Sequence, residues 1–335
     1  MGRRGLALLS DTRGQERPTG SDMSASVAFL FPGQGSQSVG MGRALREAEP
    51  LARARFEEAD SILGRSLSNL CFEGPEDDLK QTENTQPALF VCSAAAADVL
   101  RERGVEPTAV AGHSLGEYAA LYAAGALDFE TGLRLVSARG WAMAEAGRSS
   151  PGAMAAVVGL TIEQVESVCK KAALEGGVAA VANDNSPGQT VISGSRETVD
   201  RACVLARETG AKRAVPLPVS GAFHSPLVEP ARRVMEEELS RVEIRPPRCA
   251  FIPNVTARPE DDPATIRDLL VDQITSRVRW VESVRALAAL GVATALEVGP
   301  GKVLAGLVRR IDGSLQVHPA GAPDEMTSAL ETIRS

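Results

Sequence analysis

Apolar and polar residues alternate in blocks along the first 150 residues, in a pattern that predicts strands alternating with helices. The apolar run at 27–31 (VAFLF) ends in Pro-Gly and predicts a buried strand, and the run at 108–113 (TAVAGH) predicts another. A helical pattern covers about 43–63, and a second one begins near Gln86, where Pro87 suits the first turn of a helix. Two further helical patterns, LGEYAALYAAGAL and FETGLRLVSARGWAMAEAG, follow the second strand. Such alternation is typical of a mostly parallel sheet that helices cover.

The elements become shorter between 151 and 218. Their order there is strand, helix, strand, strand, helix, strand, which is the βαββαβ signature of a ferredoxin-like unit. The longer elements then resume, with ALEVG as a late strand before the helical pattern PGKVLAGLVRRI. We therefore predict a small subdomain at 151–218 inserted into a larger one formed by 24–150 and 219–335, with a ligand cleft between them. Residues 1–23 predict a disordered polar tail, within which Met23 is an alternative start.

Composition narrows the class of protein. The chain has 335 residues, of which 44% are hydrophobic and 24% charged, as is ordinary for a soluble globular protein. Its formal net charge of -7 argues against a general nucleic-acid binder, which needs a basic excess. No apolar run approaches the length of about 18 residues that spans a bilayer. We therefore expect neither a nucleic acid nor a membrane as a partner.

Cysteine usage indicates the compartment. The five cysteines are Cys71, Cys92, Cys169, Cys203 and Cys249. None forms a Cys-x-x-Cys pair and their number is odd, which fits reduced core thiols better than a disulfide framework. The sequence therefore predicts a cytoplasmic protein.

The stretch GHSLG, with Ser114 at its centre, lies between a predicted strand and a predicted helix. Gly-x-Ser-x-Gly in that context is the nucleophile elbow, whose glycines permit a tight turn and keep side chains away from the serine. The serine then lies at a helix N-terminus, where backbone N–H groups favour a developing anion. A plain strand-to-helix turn is the alternative, and the correct context favours a nucleophile.

A serine nucleophile needs a base, because its hydroxyl reacts poorly at neutral pH. The chain contains three histidines, so few candidates exist. His113 adjoins Ser114 and its side chain should diverge from it. His318 lies in a terminal stretch that has no other chemical signal. His224 lies in a Gly- and Pro-bounded loop where the small subdomain returns to the large one, which favours His224 as the base.

An oxyanion needs two N–H donors. One should be the amide of Leu115, directly after the nucleophile. The loop FPGQGSQ offers the second, the amide of Gln34 between two glycines. A phosphate-binding loop is the alternative for this stretch, but Ser38 stands where the third glycine would be and no Lys-Ser/Thr follows.

Several motifs together resemble one family, the malonyl-CoA:acyl carrier protein transacylases. These motifs are FPGQGSQ, GHSLGEY, NSPGQTVISG, GAKRAVPLPVSGAFHS and EVGPGKVL. They lie in the family's order and at family-like spacing over about 26–330. The resemblance implies an α/β-hydrolase-like large subdomain with a parallel sheet and an inserted ferredoxin-like subdomain, in agreement with the pattern described above.

The resemblance also implies roles for individual residues. Ser114 would be acylated and His224 would be the general base. The backbone amides of Gln34 and Leu115 would form the oxyanion hole. No carboxylate orients the histidine in this family; a backbone carbonyl does so, and the matching residue is Gln273.

An arginine on the helix after the elbow has a family role too, and the matching residue is Arg139. Malonyl-CoA carries a free carboxylate, which a planar guanidinium can bind through two parallel hydrogen bonds. A surface arginine on a helix is the alternative, which only the resemblance and the placement outweigh.

The implied reaction is a ping-pong transfer of the malonyl group. Ser114 takes it from malonyl-CoA and passes it to the phosphopantetheine thiol of an acyl carrier protein, supplying fatty acid synthesis. No metal or bound cofactor is implied, since coenzyme A enters as part of the substrate. A free-standing polyketide acyltransferase, a serine esterase or thioesterase, and a carrier-docking protein without chemistry are the alternatives.

Two sets of residues are further candidates for the cleft. Asn183 and Asn185 either border it from the small subdomain or make Asx turns. Phe223 precedes the proposed base. In related polyketide acyltransferase domains a Phe at this place accompanies malonyl rather than methylmalonyl units, so we expect Phe223 to exclude a methyl branch. A core residue that packs away from the cleft is the alternative for Phe223.

The acyl carrier proteins of this family are generally acidic, so a basic rim is expected at the cleft despite the net charge of -7. Candidates for that rim are Arg277, Arg279 and Lys302. Each of them could equally be an ordinary solvated charge.

Overall fold

A computed structural model gives the structure of residues 26–219 and 221–334, and the tail predicted at 1–23 lies outside these described residues. The first elements along the chain are β1 (Val27–Phe31), α1 (Arg43–Ala48), α2 (Pro50–Leu63), α3 (Leu67–Glu73), α4 (Glu76–Leu79), α5 (Thr82–Glu102), β2 (Ala109–Gly112), α6 (Gly116–Ala123) and α7 (Phe129–Ser149). The next elements are β3 (Gly152–Val158), α8 (Ile162–Ala173), β4 (Ala179–Ser186), β5 (Gln189–Ser195), α9 (Arg196–Glu208) and β6 (Arg213–Pro216). The last elements are α10 (Glu229–Ser240), β7 (Ala250–Ile252), α11 (Pro263–Gln273), α12 (Trp280–Ala289), β8 (Thr294–Glu297), α13 (Val303–Ile311), β9 (Gln316–Pro319) and α14 (Pro323–Arg334).

The larger sheet is parallel, with the strand order β7-β2-β1-β8-β9. Phe31 is paired with Gly112 and Leu30 with Glu297, so the carboxyl ends of three neighbouring strands meet at one edge. Side chains of β1 alternate between two apolar clusters: Phe29 and Phe31 face one, and Leu30 faces the other. Apolar residues on both faces explain why the strand is a continuous apolar run, as is typical of a sheet covered by helices.

The smaller sheet is antiparallel, with the order β4-β5-β3-β6. Helices α8 and α9 pack on it through a third apolar cluster. The βαββαβ arrangement and the α/β class are thus confirmed. The subdomain boundaries at 24–150, 151–218 and 219–335 stay a prediction, and every element of the smaller sheet falls within 152–216.

Strand β4 joins the smaller sheet to the rest of the chain. The Val278 N–H donates to Ala182 O at 2.8 Å, and the Asp184 N–H donates to Val278 O at 2.9 Å. Nearby, Arg277 is paired with Glu166 at 2.7 Å. These contacts form a seam, which we define by Ala182, Asp184 and Val278.

The single helix predicted at about 43–63 is wrong, because the structure breaks it into α1 and α2. Glu49 lies between them in an extended conformation, with φ -122° and ψ 118°. Pro50 follows at the first position of α2, where its missing N–H costs nothing. Proline disfavours the helical conformation of the residue before it, which accounts for the break at Glu49.

Pro87 was expected in a first helical turn, and this expectation is also wrong. Helix α5 begins at Thr82, five residues earlier, so Pro87 lies inside it. A proline there has no N–H for the carbonyl of Glu83. The guanidinium of Arg65 donates to that carbonyl instead, at 3.5 Å. The helix therefore continues through a residue that usually marks an end.

The two longest helices, α5 and α7, have 21 residues each and pack closely against one another. Gly132 on α7 faces the ring of Phe90 on α5, and a Cβ at Gly132 would overlap that ring. Within 26–219 and 221–334, no helix is both long enough and apolar enough to cross a membrane.

Candidate active site

Ser114 lies in a tight turn between β2 and α6, at the carboxyl edge of the parallel sheet. Its φ of 53° is in the left-handed region, which a non-glycine residue rarely adopts. A Cβ at Gly112 would overlap the backbone of Gly116, and one at Gly116 would overlap the carbonyl oxygen of Phe31. Both glycines of the motif are therefore required sterically, and the turn has the geometry of a nucleophile elbow.

The serine and the histidine predicted as its base are in direct contact. Ser114 Oγ lies 2.8 Å from His224 Nε2. His224 Nδ1 lies 2.9 Å from Gln273 O and 3.1 Å from Ser276 O. Carbonyl oxygens can only accept, so Nδ1 carries the proton and Nε2 is left to accept the serine hydroxyl. This tautomer is the one that a general base requires.

The surroundings of His224 keep its imidazole neutral. The side chain is buried, and this burial lowers its pKa from the ordinary value near 6.5 to about 3. The positive charge of Arg139 acts in the same direction. The two carbonyl acceptors oppose the shift and do not overcome it. His224 is therefore unprotonated at neutral pH and able to take a proton.

Arg139 reaches the same point from the middle of α7. Only 1% of its surface is exposed. Its Nη1 donates to Gln86 Oε1 at 2.7 Å, and its Nη2 donates to Gln273 Oε1 at 2.9 Å and to Ser114 Oγ at 3.1 Å. Its buried Nε–H has no partner among the residues that the structure describes. The arginine is thus a buried cation beside the serine rather than a surface residue.

The loop that contains Gln34 packs directly on the elbow, since a Cβ at Gly33 would touch the carbonyl oxygen of His113. The amide of Ser114 itself donates to Asn254 Oδ1 at 2.7 Å. Within the described ranges, the amides of Gln34 and Leu115 donate to no protein acceptor. The two amides predicted for an oxyanion hole are therefore on neighbouring turns and free to donate.

Three polar residues of the site were missed by the sequence reasoning: Gln86, Glu117 and Asn254. All three side chains are buried. Gln86 and Glu117 are polar residues within helices whose neighbours are mostly apolar, which is a signal that the sequence did carry. Asn254 follows β7 at the sheet edge next to β2, and only the strand order shows this.

The remaining candidates near the cleft have varied surroundings. His113 donates from Nε2 to Asn185 Oδ1 at 2.8 Å, so Asn185 connects β4 to the residue before Ser114. Asn183 is buried and forms an isolated bridge with Val278. Phe223 is 6% exposed and belongs to the largest apolar cluster. Its selectivity role stays a prediction.

The basic residues proposed for a carrier-protein rim are each in an ion pair. These pairs are Arg277 with Glu166 at 2.7 Å, Arg279 with Glu282 at 2.6 Å, and Lys302 with Glu325 at 3.0 Å. Their role stays a prediction. His318 lies on β9, which is separated from β1 by β8, so it is remote from the elbow.

Comparison with known proteins gives concordant matches. The family described as "Acyl transferase domain" matches residues 28–320. The malonyl CoA-acyl carrier protein transacylase of Bacillus subtilis is 45% identical over 310 residues, which cover 92% of this chain and 98% of that protein. The protein of the same name from Escherichia coli K12 is 44% identical over 305 residues, covering 91% and 98%.

Solved structures match this chain over nearly its whole length as well. The malonyl CoA-acyl carrier protein transacylase of Coxiella burnetii has a TM-score of 0.91 at 40% identity, covering 93% of this chain and 99% of that one. A malonyl-transacylase solved in complex with its type II PKS acyl-carrier protein has a TM-score of 0.89 at 41% identity, covering 92% and 100%.

Proposed function

The chain belongs to the family of malonyl-CoA:acyl carrier protein transacylases, and on that premise we propose that Ser114 carries the malonyl group from coenzyme A to an acyl carrier protein. The observation that carries the proposal is the hydrogen bond of 2.8 Å between Ser114 Oγ and His224 Nε2. It supplies a nucleophile together with its base. The names of the relatives supply the substrate, malonyl-CoA, and the acceptor, the carrier protein.

In the first half-reaction, Ser114 Oγ attacks the thioester carbonyl of malonyl-CoA. His224 Nε2 accepts the hydroxyl proton as the new C–O bond forms. The C–S bond then breaks, and the imidazolium returns the proton to the sulfur, so coenzyme A leaves as a free thiol. The product is a malonyl ester on Ser114.

The second half-reaction reverses these steps with a different thiol. His224 takes the proton of the phosphopantetheine thiol, and the sulfur attacks the ester carbonyl. The C–O bond to Ser114 breaks, and the proton passes from His224 to the serine oxygen. Malonyl-carrier protein leaves and the enzyme is regenerated, which is a ping-pong cycle.

Further groups would stabilise the charges of this cycle and orient the base. The free amides of Gln34 and Leu115 would donate to the oxyanion of each tetrahedral intermediate. Arg139 would bind the substrate carboxylate, and its unpartnered Nε–H supports this role. The carbonyl of Gln273, which accepts from His224 Nδ1, would keep the imidazole in the required tautomer.

A serine hydrolase would use the same elbow and base, but two observations favour transfer. His224 Nδ1 donates to carbonyl oxygens and not to a carboxylate, so its imidazolium is less stabilised than in a Ser-His-Asp triad. The buried guanidinium beside the serine suits a substrate that bears a carboxylate.

We propose fatty acid synthesis as the pathway supplied, because the relatives' names give the transfer of malonyl groups to an acyl carrier protein, a step that this pathway uses. One relative, polyketide biosynthesis protein PksE of Bacillus subtilis, is 43% identical over a segment that makes up 36% of that protein. The chemistry of the two pathways is the same. A genetic test distinguishes the two pathways. If fatty acid synthesis is the pathway supplied, disruption of the gene should stop growth, and added fatty acids should restore it. We also propose a cytoplasmic location, which the five free thiols support.

Acylation of the purified enzyme tests the proposed function directly. Radiolabelled malonyl-CoA should label the wild-type protein through denaturing electrophoresis, and Ser114→Ala should remain unlabelled. Ser137→Ala is the matched control, because Ser137 Oγ donates only to Leu133 O in its own helix, and this variant should label fully. A labelled Ser114→Ala band would place the acyl group elsewhere and overturn the assignment.

A further inference from the structure

Glu117 is a carboxylate buried in an apolar helix. It lies three residues after Ser114 in the first turn of α6, and every residue of that helix is buried. Only 1% of Glu117 is exposed, and this burial raises its pKa, whereas the N–H donors of Asn254 and Gln273 and the charge of Arg139 act to lower it. Burying a carboxylate is unfavourable unless its oxygens are well bonded. Its position beside the nucleophile therefore calls for an explanation.

Both oxygens of Glu117 accept hydrogen bonds from residues of the active site. Its Oε2 accepts from Gln273 Nε2 at 2.6 Å, and its Oε1 accepts from the backbone N–H of Asn254. These two bonds come from the end of α11 and from the turn after β7, which lie far from Glu117 in the chain. The carboxylate is therefore a common acceptor that joins them behind the serine.

Gln273 in turn forms hydrogen bonds with three residues of the site. Its Oε1 accepts from Arg139 Nη2 at 2.9 Å, its Nε2 also donates to Ser114 O at 2.9 Å, and its backbone carbonyl accepts from His224 Nδ1. A guanidinium can only donate, and the carbonyl oxygen of Ser114 can only accept. Arg139 and this carbonyl therefore give the Gln273 amide a single orientation, in which its Nε2 faces Glu117.

Asn254, the other donor to Glu117, forms hydrogen bonds with the elbow. Its Oδ1 accepts from the Ser114 amide, and its Nδ2 donates to Gly112 O at 2.7 Å. Both ends of the strained turn are thereby held by one side chain. The backbone N–H of Asn254 donates to Glu117, so the same carboxylate supports the elbow as well.

We propose that Glu117 is the positioning residue of this site, a carboxylate that acts through Gln273 and Asn254 to hold His224, Arg139 and the Ser114 turn in mutual register. It touches no reacting atom. The inference rests on the proposed function, since the geometry it maintains is that of the malonyl transfer. Stabilisation of α6 by an acid in its first turn is the competing explanation.

The test measures acylation of Ser114 by malonyl-CoA and by acetyl-CoA, read by intact mass, together with thermal unfolding. Arg139→Ala sets the scale, because it should reduce malonyl loading far more than acetyl loading. Glu117→Gln keeps the side-chain volume but has one acceptor oxygen where Glu117 has two, so the bond from Gln273 or the bond from Asn254 is lost. We expect the rate of malonyl loading to fall by about tenfold to a hundredfold, as for a lost hydrogen bond to a charged group. The ratio of the malonyl loading rate to the acetyl loading rate should fall as well.

Asp98→Asn is the matched control. Asp98 is a largely buried carboxylate on α5 that accepts from Tyr122 Oη at 2.7 Å and from Arg55, away from the site. Its replacement should lower the melting temperature and leave the malonyl-to-acetyl ratio unchanged. Gln273→Met is the second variant, and it decides the test if Glu117→Gln does not fold. It should also lower the ratio of malonyl loading to acetyl loading.

An unchanged ratio in a folded Glu117→Gln variant, or in Gln273→Met where that variant decides, would overturn the positioning role. So would a loss of rate that only follows the folded fraction, since stabilisation of α6 predicts that result. Failure of the wild-type enzyme to load malonyl at all would instead refute the proposed function. The two failures are therefore distinguishable.

Discussion

At the scale of single residues, the state of His224 follows from what surrounds it. Burial and the nearby guanidinium both disfavour the imidazolium, and two carbonyls accept its one N–H. Arg139 therefore has two effects that a substrate would change. We propose that it offers a site for a carboxylate, and until a carboxylate binds, its charge adds to burial in lowering the pKa of His224.

This arrangement predicts the acid limb of the acylation rate. The pKa of His224 is lowered to about 3, so protonation should inactivate the free enzyme well below the ordinary imidazole value near 6.5. Removing the charge in Arg139→Met should raise this pKa and move the limb towards higher pH. The measurement is kcat/KM against pH with acetyl-CoA, which has no carboxylate to bind Arg139. A wild-type limb near 6.5, or no movement in the variant, would contradict the account.

At the scale of elements, the elbow depends on close approach between backbones. β1 and β2 are adjacent parallel strands, and α6 starts directly against the end of β1. The His113 N–H donates to Phe31 O at 2.9 Å, so the turn begins in register with the sheet. Small residues are needed here because backbone rather than side chain fills the space.

Two glycine substitutions should therefore have opposite effects on stability. Gly116→Ala places a Cβ against the carbonyl oxygen of Phe31, which cannot move cheaply, and should lower the free energy of unfolding by about 1–3 kcal/mol or more. Gly306→Ala lies inside α13 with open space around it and should raise the free energy by about 0.5–1 kcal/mol. Urea denaturation of the two variants decides this. Equal effects would mean that helix propensity, and not the elbow, determines the outcome.

At the scale of the whole molecule, the seam couples the smaller sheet to the larger part of the chain. Trp280 begins α12 beside this seam, fully buried, with its ring 5.4 Å from that of His113. The other tryptophan, Trp141, is 58% exposed on α7. Fluorescence of Trp280 therefore reports on the region where the two sheets meet.

We expect the two sheets to unfold together. In a Trp141→Phe variant, the fluorescence of Trp280 and the far-ultraviolet circular dichroism should give the same urea midpoint, as in a cooperative transition. Asn185→Ala removes the contact with His113 and should lower both midpoints together. Separate midpoints by the two probes would show that the seam does not couple the sheets.

The sequence by itself was sufficient for features that neighbouring residues determine. The apolar run of β1, the Gly-x-Ser-x-Gly turn and the βαββαβ order are local patterns, and the structure contains all three. Ser114 and His224 could be paired because a serine needs a base and the chain has three histidines. Proline was the main source of local error, because its effect depends on whether another group, as at Pro87, can bond the carbonyl it leaves free.

Only the tertiary structure decided which distant residues surround the serine. Gln86, Glu117 and Asn254 lie in three different parts of the chain, and their roles depend on the strand order β7-β2-β1 and on how α5 packs against α7. Periodicity shows that a side chain is buried but not what it faces. The contacts of a buried polar group depend on through-space geometry, which follows from the packing of the whole chain rather than from any stretch of it.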